Sequence, residues 1–305
     1  MSIPRRVLGR TGVAVSALGY GAMELRGGSH GPAIDDADAG RLLHAVLDGG
    51  IDLIDTSIDY GRSEELIGRF LADRRDEYFL ASKCGCMLDL PDDATPPYPH
   101  DWSAANIRAG VEQSLRRLQT DRLDLLQVHL SPTREQMAAD GTVEEMMALR
   151  AEGKIRFIGM SGIIPNLADH IEMGVFDVFQ IPYSAVQREH EELVARASAT
   201  GAGVLVRGGV ARGATAEEKE WAPQTIGLAE GEAQRRWELG GLEDSLQGMS
   251  RHEFVLRFTI SNPGCSSTIV GTSNIEHLGS NLAIAAKGPL PADLYEEAKR
   301  RLPTG

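Results

Sequence analysis

Short apolar runs alternate along this chain with longer stretches in which apolar residues recur at helical spacing. Leu42, Leu43, Val46 and Leu47, for example, repeat every three or four residues, as residues on one face of a helix do. We therefore predict eight strands, each followed by a helical segment. The eight apolar runs, which end at a glycine, a serine or another polar turn, are ALGYGAM (17–23), IDLIDTS (51–57), YFLASKCG (78–85), LDLLQVHL (123–130), IRFIGMSG (155–162), FDVFQIPYS (176–184), GVLVRGG (203–209) and STIVGTS (267–273).

This alternation predicts a parallel sheet, because each return to a parallel strand needs a crossover helix. Eight such units that close on themselves give a (β/α)8 TIM barrel, an α/β fold. The alternative, an open doubly wound sheet, requires a GxGxxG turn after the first strand, and GYGAME (19–24) lacks the third glycine. Before the first strand, RRVLGRTGVAVSAL predicts a hairpin that turns at Thr11 and Gly12, and we expect it to close the barrel floor.

The length of 305 residues would suit two domains of ~150 residues, but barrels of this type often exceed ~250 residues as one domain. We therefore expect residues 1–305 to form a single barrel domain with extra helices. Long connections between secondary-structure elements are usually functional or mobile. The long connections that the sequence predicts are 86–102, 131–141 and 210–248.

The charge balance excludes several classes of partner. There are 31 Lys and Arg residues against 44 Asp and Glu residues, so the formal net charge is −13, which argues against nucleic acid or an anionic membrane. No apolar stretch approaches the ~20 residues of a membrane-spanning helix.

Three cysteines suit a reducing compartment, and with no apolar region at the start we expect a cytoplasmic protein. We expect no metal site, because Cys84 and Cys86 have no nearby Cys or His pair to complete four ligands.

Polar residues end three consecutive predicted strands. Asp55 shares a strand face with Leu53, Lys83 shares one with Phe79 and Ala81, and His129 shares one with Leu125 and Gln127. Tyr60 follows five residues after Asp55. If these faces point into the barrel, the side chains converge at its mouth, where catalytic groups of such barrels lie. Each one alone could be an ordinary solvent-facing strand end. The combination of an acid, a lysine, a histidine and a tyrosine instead predicts one catalytic cluster.

The chemistry of such a cluster is that of a general acid. A phenol has an ordinary pKa of ~10, and a nearby ammonium stabilises its phenolate, so we expect Lys83 to lower the pKa of Tyr60. Asp55 would supply the countercharge for Lys83, and a neutral His129 could orient a substrate oxygen. A general acid that donates its proton to a carbonyl oxygen is what the reduction of a carbonyl group requires. None of these side chains carries a hydride, so a cofactor is required.

Three segments that carry these residues resemble the aldo-keto reductases: DTSIDYGRSEELIG (55–68), ASKCG with Lys83, and LDLLQVH ending in His129. The resemblance runs over nearly the whole chain and contains the four residues in the family's order. It implies a barrel in which Asp55, Tyr60, Lys83 and His129 are catalytic. It also implies NAD(P)H-dependent reduction of aldehydes or ketones to alcohols, with Tyr60 as the general acid.

The resemblance further implies a dinucleotide lying across the strand ends. The residues at matching positions are Gly21, Ala22, Met23, Asp55, Ser161, Gly162, Gln180 and Arg207 near the nicotinamide, Gly208, Gly209 and Val210 near the pyrophosphate, and Gly271, Thr272, Ser273, His277 and Asn281 at the adenosine-phosphate end. Met23 and Trp102 would flank the substrate, and Trp102 could equally be a packing residue of the core. A long C-terminal substrate loop known from some family members has no counterpart here, so we expect an open, permissive site.

Several positions depart from the family's pattern. Gly162 stands where Asn is common, Arg207 where many members place an aromatic residue, and Ser280 where Glu is usual. Gly271 and His277 stand where many NADP(H)-dependent members have Lys and Arg, so a bidentate guanidinium contact is lost. We expect NADP(H) to be preferred, with NAD(H) possible.

Other functions are compatible with the same residues. One is an NAD-dependent aldose dehydrogenase that uses the four residues in the oxidative direction. Another is a cofactor-binding, non-catalytic partner subunit, and a third is a lyase or aldolase with Lys83 as a Schiff-base lysine. The sequence names a small carbonyl compound as the substrate class and leaves the oligomeric state open.

Overall fold

A computed structural model describes residues 2–27, 34–88, 99–210, 231–302 and 304 of the chain. The barrel strands are β3 (Leu18–Gly21), β4 (Leu53–Asp55), β5 (Phe79–Cys84), β6 (Leu123–His129), β7 (Ile155–Ser161), β8 (Val178–Pro182), β9 (Gly203–Arg207) and β10 (Ser267–Val270). All of them pair in parallel with their neighbours along the chain, and β10 pairs with both β9 and β3. This closure confirms the predicted (β/α)8 barrel and excludes the open sheet.

Helices cover the outside of the barrel, as the apolar spacing predicts. In the first of them, Asp35 accepts a hydrogen bond from the Asp38 N–H and caps the helix, while the stripe from Leu42 to Leu47 is buried against the barrel. Within the described residues, no helix is long and apolar enough to cross a membrane. The helices are α1 (Asp36–Asp48), α2 (Ser63–Leu71), α3 (Ala104–Leu118), α4 (Arg134–Asp140), α5 (Thr142–Ala151), α6 (Leu167–Glu172), α7 (Glu191–Ala199), α8 (Glu232–Gly240), α9 (Arg251–Ser261), α10 (Ile275–Ala286) and α11 (Ala292–Arg301).

The predicted hairpin forms at the amino-terminal end of the barrel. Strands β1 (Arg5–Val7) and β2 (Ala14–Ser16) pair antiparallel, and the chain between them places Leu8 in the apolar cluster inside the barrel. Gly203, the first residue of β9, leaves space for the Leu8 side chain, because a Cβ at position 203 would lie 2.6 Å from Leu8 Cδ1. The closed floor leaves the opposite end, where the strands finish, as the open mouth.

Among the residues that the structure describes, two of the three predicted connections contain a helix, one of them being α8 within 210–248. Segment 131–141 includes α4, because Thr133 accepts a hydrogen bond from the Gln136 N–H and Met137 is buried. Gly141 ends α4 in the left-handed region at φ 68°. Of the other two predicted connections, residues 89–98 and 211–230 lie outside the described part of the chain.

Candidate active site

The carboxyl ends of β4, β5 and β6 bring the predicted cluster together. Asp55 is the last residue of β4, and the parallel register sets Lys83 of β5 opposite Gln127 of β6. His129 ends β6 opposite Ser161. Because side chains alternate along a strand, Lys83 and Gln127 enter the barrel from neighbouring strands, and both side chains reach Asp55.

A buried ion pair lies at the centre of this end of the barrel. Lys83 Nζ lies 2.7 Å from Asp55 Oδ2 and also donates a hydrogen bond of 2.7 Å to the carbonyl oxygen of Thr56. The side chains of Lys83 and Asp55 are only 1% and 6% exposed. Burial alone lowers the pKa of the Lys83 ammonium, but the adjacent Asp55 carboxylate raises it above its ordinary value. Lys83 is therefore a fixed positive charge at neutral pH.

Two glutamines hold the second oxygen of Asp55. Nε2 of Gln127 and Nε2 of Gln180 each donate a hydrogen bond of 2.9 Å to Asp55 Oδ1. Gln180 Oε1 in turn accepts from Ser161 Oγ at 3.1 Å. From the sequence we name Gln180 and Ser161 as cofactor contacts and do not single out Gln127. Its position two residues before His129, on the same strand face, is the signal that could have found it.

Tyr60 lies beside the lysine, as expected, but with a different electrostatic balance. Lys83 Nζ is 4.8 Å from the centroid of the Tyr60 ring. Burial raises the pKa of the Tyr60 phenol, Lys83 lowers it, and the carboxylates of Asp55 and Asp59 raise it again, so that the pKa lies above its ordinary value. The prediction that the pKa of Tyr60 is lowered by Lys83 is therefore wrong in its net direction. Tyr60 is therefore protonated and neutral at physiological pH.

His129 is neutral at this site. Burial lowers the pKa of its imidazole to about 3. The Trp102 indole N–H donates a hydrogen bond of 2.9 Å to the His129 carbonyl oxygen and is partly buried, so Trp102 supports the end of β6 as well as lying at the mouth. Three residues that the sequence does not single out as site residues surround His129 Nδ1: Cys86, His100 and Asp59.

The residues predicted to contact nicotinamide and pyrophosphate lie around the same mouth. Gly21 ends β3, and Ala22 and Met23 begin the short turn that follows. Arg207 ends β9, and burial lowers the pKa of its guanidinium, which stays charged at neutral pH. Gly208, Gly209 and Val210 follow β9, and Gly208 has a φ of 70°, which a residue with a side chain rarely adopts. Gly162 directly follows β7.

The positions predicted for the adenosine-phosphate end lie at the start of α10. Asn274 caps this helix by accepting hydrogen bonds from the backbone N–H groups of Glu276 and His277. Thr272 Oγ1 accepts from the Asn274 N–H at 3.0 Å, so its hydroxyl already stabilises the turn, and Ser273 lies beside it, partly buried. His277 is exposed on the first turn of α10. Asn281 is buried, and its Oδ1 lies 2.7 Å from His252 Nε2.

Gly271 has a steric reason for lacking a side chain. A Cβ at this position would lie 2.8 Å from the carbonyl oxygen of Gly21, because β10 and β3 are neighbours in the closed barrel. A lysine, as in many NADP(H)-dependent aldo-keto reductases, would require the ends of both strands to shift.

Comparison with known proteins identifies the relatives of this arrangement. A model described as "Aldo/keto reductase family" matches residues 17–300. L-galactose dehydrogenase of Arabidopsis thaliana is 30% identical over 296 residues, which cover 92% of this chain and 88% of the relative. An uncharacterized oxidoreductase of Bacillus subtilis is 29% identical over 289 residues, or 92% and 90% of the two chains. The structure of an aldo-keto reductase from Bacillus halodurans in its holo form superposes with a TM-score of 0.84 and 28% identity, covering 99% of this chain and 97% of that one.

The buried pair generates a stability prediction. In Asp55→Ala the Lys83 charge stays buried without its partner, so we expect the free energy of unfolding to fall by about 3–5 kcal/mol. The double variant Asp55→Ala/Lys83→Met carries neither charge and should be more stable than Asp55→Ala alone. Urea unfolding of both variants and of the parent protein measures the difference.

A surface pair provides the control for this comparison. Arg196 and Glu172 lie 3.1 Å apart on exposed helix surfaces, so Glu172→Ala should change the free energy of unfolding far less than Asp55→Ala. If the double variant were less stable than Asp55→Ala, Lys83 would not be an uncompensated charge in the single variant, and the electrostatic account of the site would be wrong.

Proposed function

The chain belongs to the aldo/keto reductase family, and from that premise we propose that it reduces aldehyde or ketone carbonyls to alcohols with Tyr60 as the proton donor. As a member of this family it is an enzyme, an oxidoreductase that acts on carbonyl compounds with a nicotinamide cofactor. The observation that carries the finer proposal is the neutral, partly buried phenol of Tyr60, whose ring centroid lies 4.8 Å from the fixed charge of Lys83.

The donor groups around the mouth suit a nicotinamide dinucleotide. Ser161 and Gln180 offer a hydroxyl and an amide of the kind that a carboxamide binds. Arg207 offers a guanidinium to a diphosphate. The glycine turn that follows it allows the diphosphate to approach the backbone N–H groups closely. We propose that these groups, together with Thr272 and Ser273 before α10 and His277 and Asn281 within it, hold the cofactor. When bound, the reduced cofactor would supply the hydride that no side chain here can provide.

In this proposal Tyr60 donates its proton and becomes a phenolate. Reduction leaves a negative charge on the substrate oxygen, and Tyr60 neutralises it by donating its phenolic proton. The phenolate that remains is stabilised by Lys83, whose ammonium is already oriented and desolvated. Asp55 keeps Lys83 protonated and fixes its position. Lys83 thus favours the phenolate formed during the reaction, even though burial keeps Tyr60 protonated before it.

His129 orients the carbonyl in the same proposal. Its imidazole is neutral because burial lowers the pKa to about 3, so it can donate one hydrogen bond without competing as an acid. Trp102 holds the backbone at this position. We propose that Met23 and Trp102 border a permissive site for small aldehydes or ketones. The three cysteines are free and buried, which supports a reducing, cytoplasmic setting.

Oxidation of an aldose is the second candidate function. The name of the relative from Arabidopsis thaliana, L-galactose dehydrogenase, favours it. The same groups would then act in reverse, with Tyr60 as the phenolate that accepts the hydroxyl proton. An assay with aldoses and oxidised cofactor distinguishes the two directions. A Schiff base on Lys83 is disfavoured, because a nucleophilic lysine must be neutral and the pKa of Lys83 is raised.

Replacing the proposed acid tests the mechanism. In Tyr60→Phe the proton donor is gone while the ring and its packing remain, so we expect kcat for carbonyl reduction to fall by about 10²–10⁴-fold. The dissociation constant of the reduced cofactor, measured by fluorescence, should stay unchanged. Full activity in this variant would show that Tyr60 is not the acid.

Tyr78 provides the matched control. It is a buried tyrosine that lies just before β5, at the opposite end of that strand from Lys83, and its hydroxyl has no hydrogen-bond partner among the described residues. Tyr78→Phe should therefore keep the activity of the parent enzyme. A large loss in both variants would point to a general effect of removing a buried hydroxyl.

The start of α10 generates a prediction about the coenzyme. We propose that NADP(H) is preferred, so KM should be lower for NADPH than for NADH. His277 is exposed on the first turn of this helix, and His277→Arg would add a guanidinium where a 2′-phosphate is expected. This variant should lower KM for NADPH by about 10-fold, which corresponds to a charge-assisted hydrogen bond, and leave KM for NADH unchanged. An equal or lower KM for NADH in the parent enzyme would contradict the preference.

A further inference from the structure

Four side chains with metal-binding atoms meet beside His129. Asp59 follows β4, Cys86 follows β5, His100 precedes α3, and His129 ends β6. One ligand atom from each of these four residues lies within 4.8 Å of all the others. They are far apart in sequence, so the fold alone brings them together. We refer to Asp59, Cys86, His100 and His129 as the four-residue cluster.

The distances from His129 Nδ1 to the other three ligand atoms are close to those of a tetrahedral metal site. Zinc bonds to Cys, His and Asp are about 2.0–2.3 Å long, which places neighbouring ligand atoms of a tetrahedron about 3.3–3.8 Å apart. His129 Nδ1 lies 3.2 Å from Cys86 Sγ, 3.3 Å from His100 Nε2 and 3.8 Å from Asp59 Oδ2. Small side-chain adjustments would bring all four atoms into contact with one central ion.

A buried carboxylate oxygen supports the same conclusion independently. The Asp59 side chain is only 8% exposed, and its Oδ1 has no hydrogen-bond partner among the described residues. Leaving one oxygen of a buried carboxylate without a donor or a cation is costly. The Asp59 carboxylate therefore keeps one oxygen without a hydrogen-bond donor, although Lys83, His100 and His129 are near enough to act on its charge.

The donor set selects the class of ion. A thiolate and two imidazoles are ligands for zinc and its neighbours in the transition series, whereas magnesium and calcium prefer oxygen ligands. A dication bound by one carboxylate, one thiolate and two neutral imidazoles has no net charge, which suits a largely buried position. On binding, the Cys86 thiol releases its proton to solvent as the sulfur–metal bond forms.

We propose that the four-residue cluster is a binding site for one divalent transition-metal ion of the zinc class. The proposal replaces the expectation of no metal site, which considered only partners near Cys84 and Cys86 in sequence. Cys84 takes no part, because it is buried in the apolar core between the barrel and its helices. Binding at Nδ1 would also confine the His129 ring proton to Nε2.

Titration with Co²⁺ tests the proposal on the full chain without an affinity tag. We expect one Co²⁺ per chain, with the strong visible absorption of tetrahedral cobalt and a near-ultraviolet thiolate-to-cobalt charge-transfer band. One equivalent of Zn²⁺ should abolish both bands. Activity plays no part in this readout, so the site can be present or absent independently of the proposed function.

Variants of the ligands and matched controls complete the experiment. Cys86→Ser should remove the charge-transfer band, and both Cys86→Ser and His100→Gln should weaken binding by at least ~10-fold. Cys265→Ser changes a buried cysteine far from the cluster and His44→Gln an exposed histidine of α1, and both should bind Co²⁺ like the parent chain. Circular dichroism confirms that each variant is folded. The weak spectrum of octahedral cobalt, or binding that neither ligand variant weakens, would overturn the proposal.

Discussion

The active-site end of the barrel depends on one buried ion pair. An ammonium inside a protein is costly unless a countercharge lies beside it, and the Asp55 carboxylate provides that countercharge for Lys83 at 2.7 Å. Asp55 is in turn fixed by amide groups from Gln127 and Gln180, so this one carboxylate links β4, β5, β6 and β8. Such a pair contributes little to the free energy of folding, because apolar residues could fill the same space without the cost of desolvating two charges. Its value is a positive charge that is already in place beside Tyr60.

Much of the fold could be predicted from the sequence, because local patterns determine it. The apolar runs and helical stripes indicated eight strand–helix units, and alternation along β4, β5 and β6 indicated that Asp55, Lys83 and His129 share the mouth. The helix α4 was missed because its cap is a single threonine and only one of its residues, Met137, is buried. The net direction of the pKa shift of Tyr60 could not be predicted either. It is the balance of burial, one ammonium and two carboxylates, and that balance depends on three-dimensional distances.

The surroundings of His129 show a different limit of sequence reasoning. Asp59 comes from the connection after β4, and Cys86 and His100 come from the one after β5. They meet His129 because the barrel places the ends of β4, β5 and β6 side by side. Similarly, Gly271 is explained by the closure of β10 onto β3 rather than by its own neighbours in sequence. The net charge of −13 says little about such places, because the field at the mouth depends on local groups such as Lys83, Arg207, Asp55 and Asp59.

The central claim is that a neutral Tyr60, held beside a permanently charged Lys83, donates the proton while His129 remains uncharged. The most direct test is the pH dependence of a single turnover of carbonyl reduction with saturating reduced cofactor. The rate should be level between about pH 5 and pH 9, with no ionisation near the ordinary histidine value of ~6.5, and should decline only above the ordinary phenol value of ~10. A rate that falls through neutral pH would contradict the account, because the proton donor would then be a group with a pKa near 7.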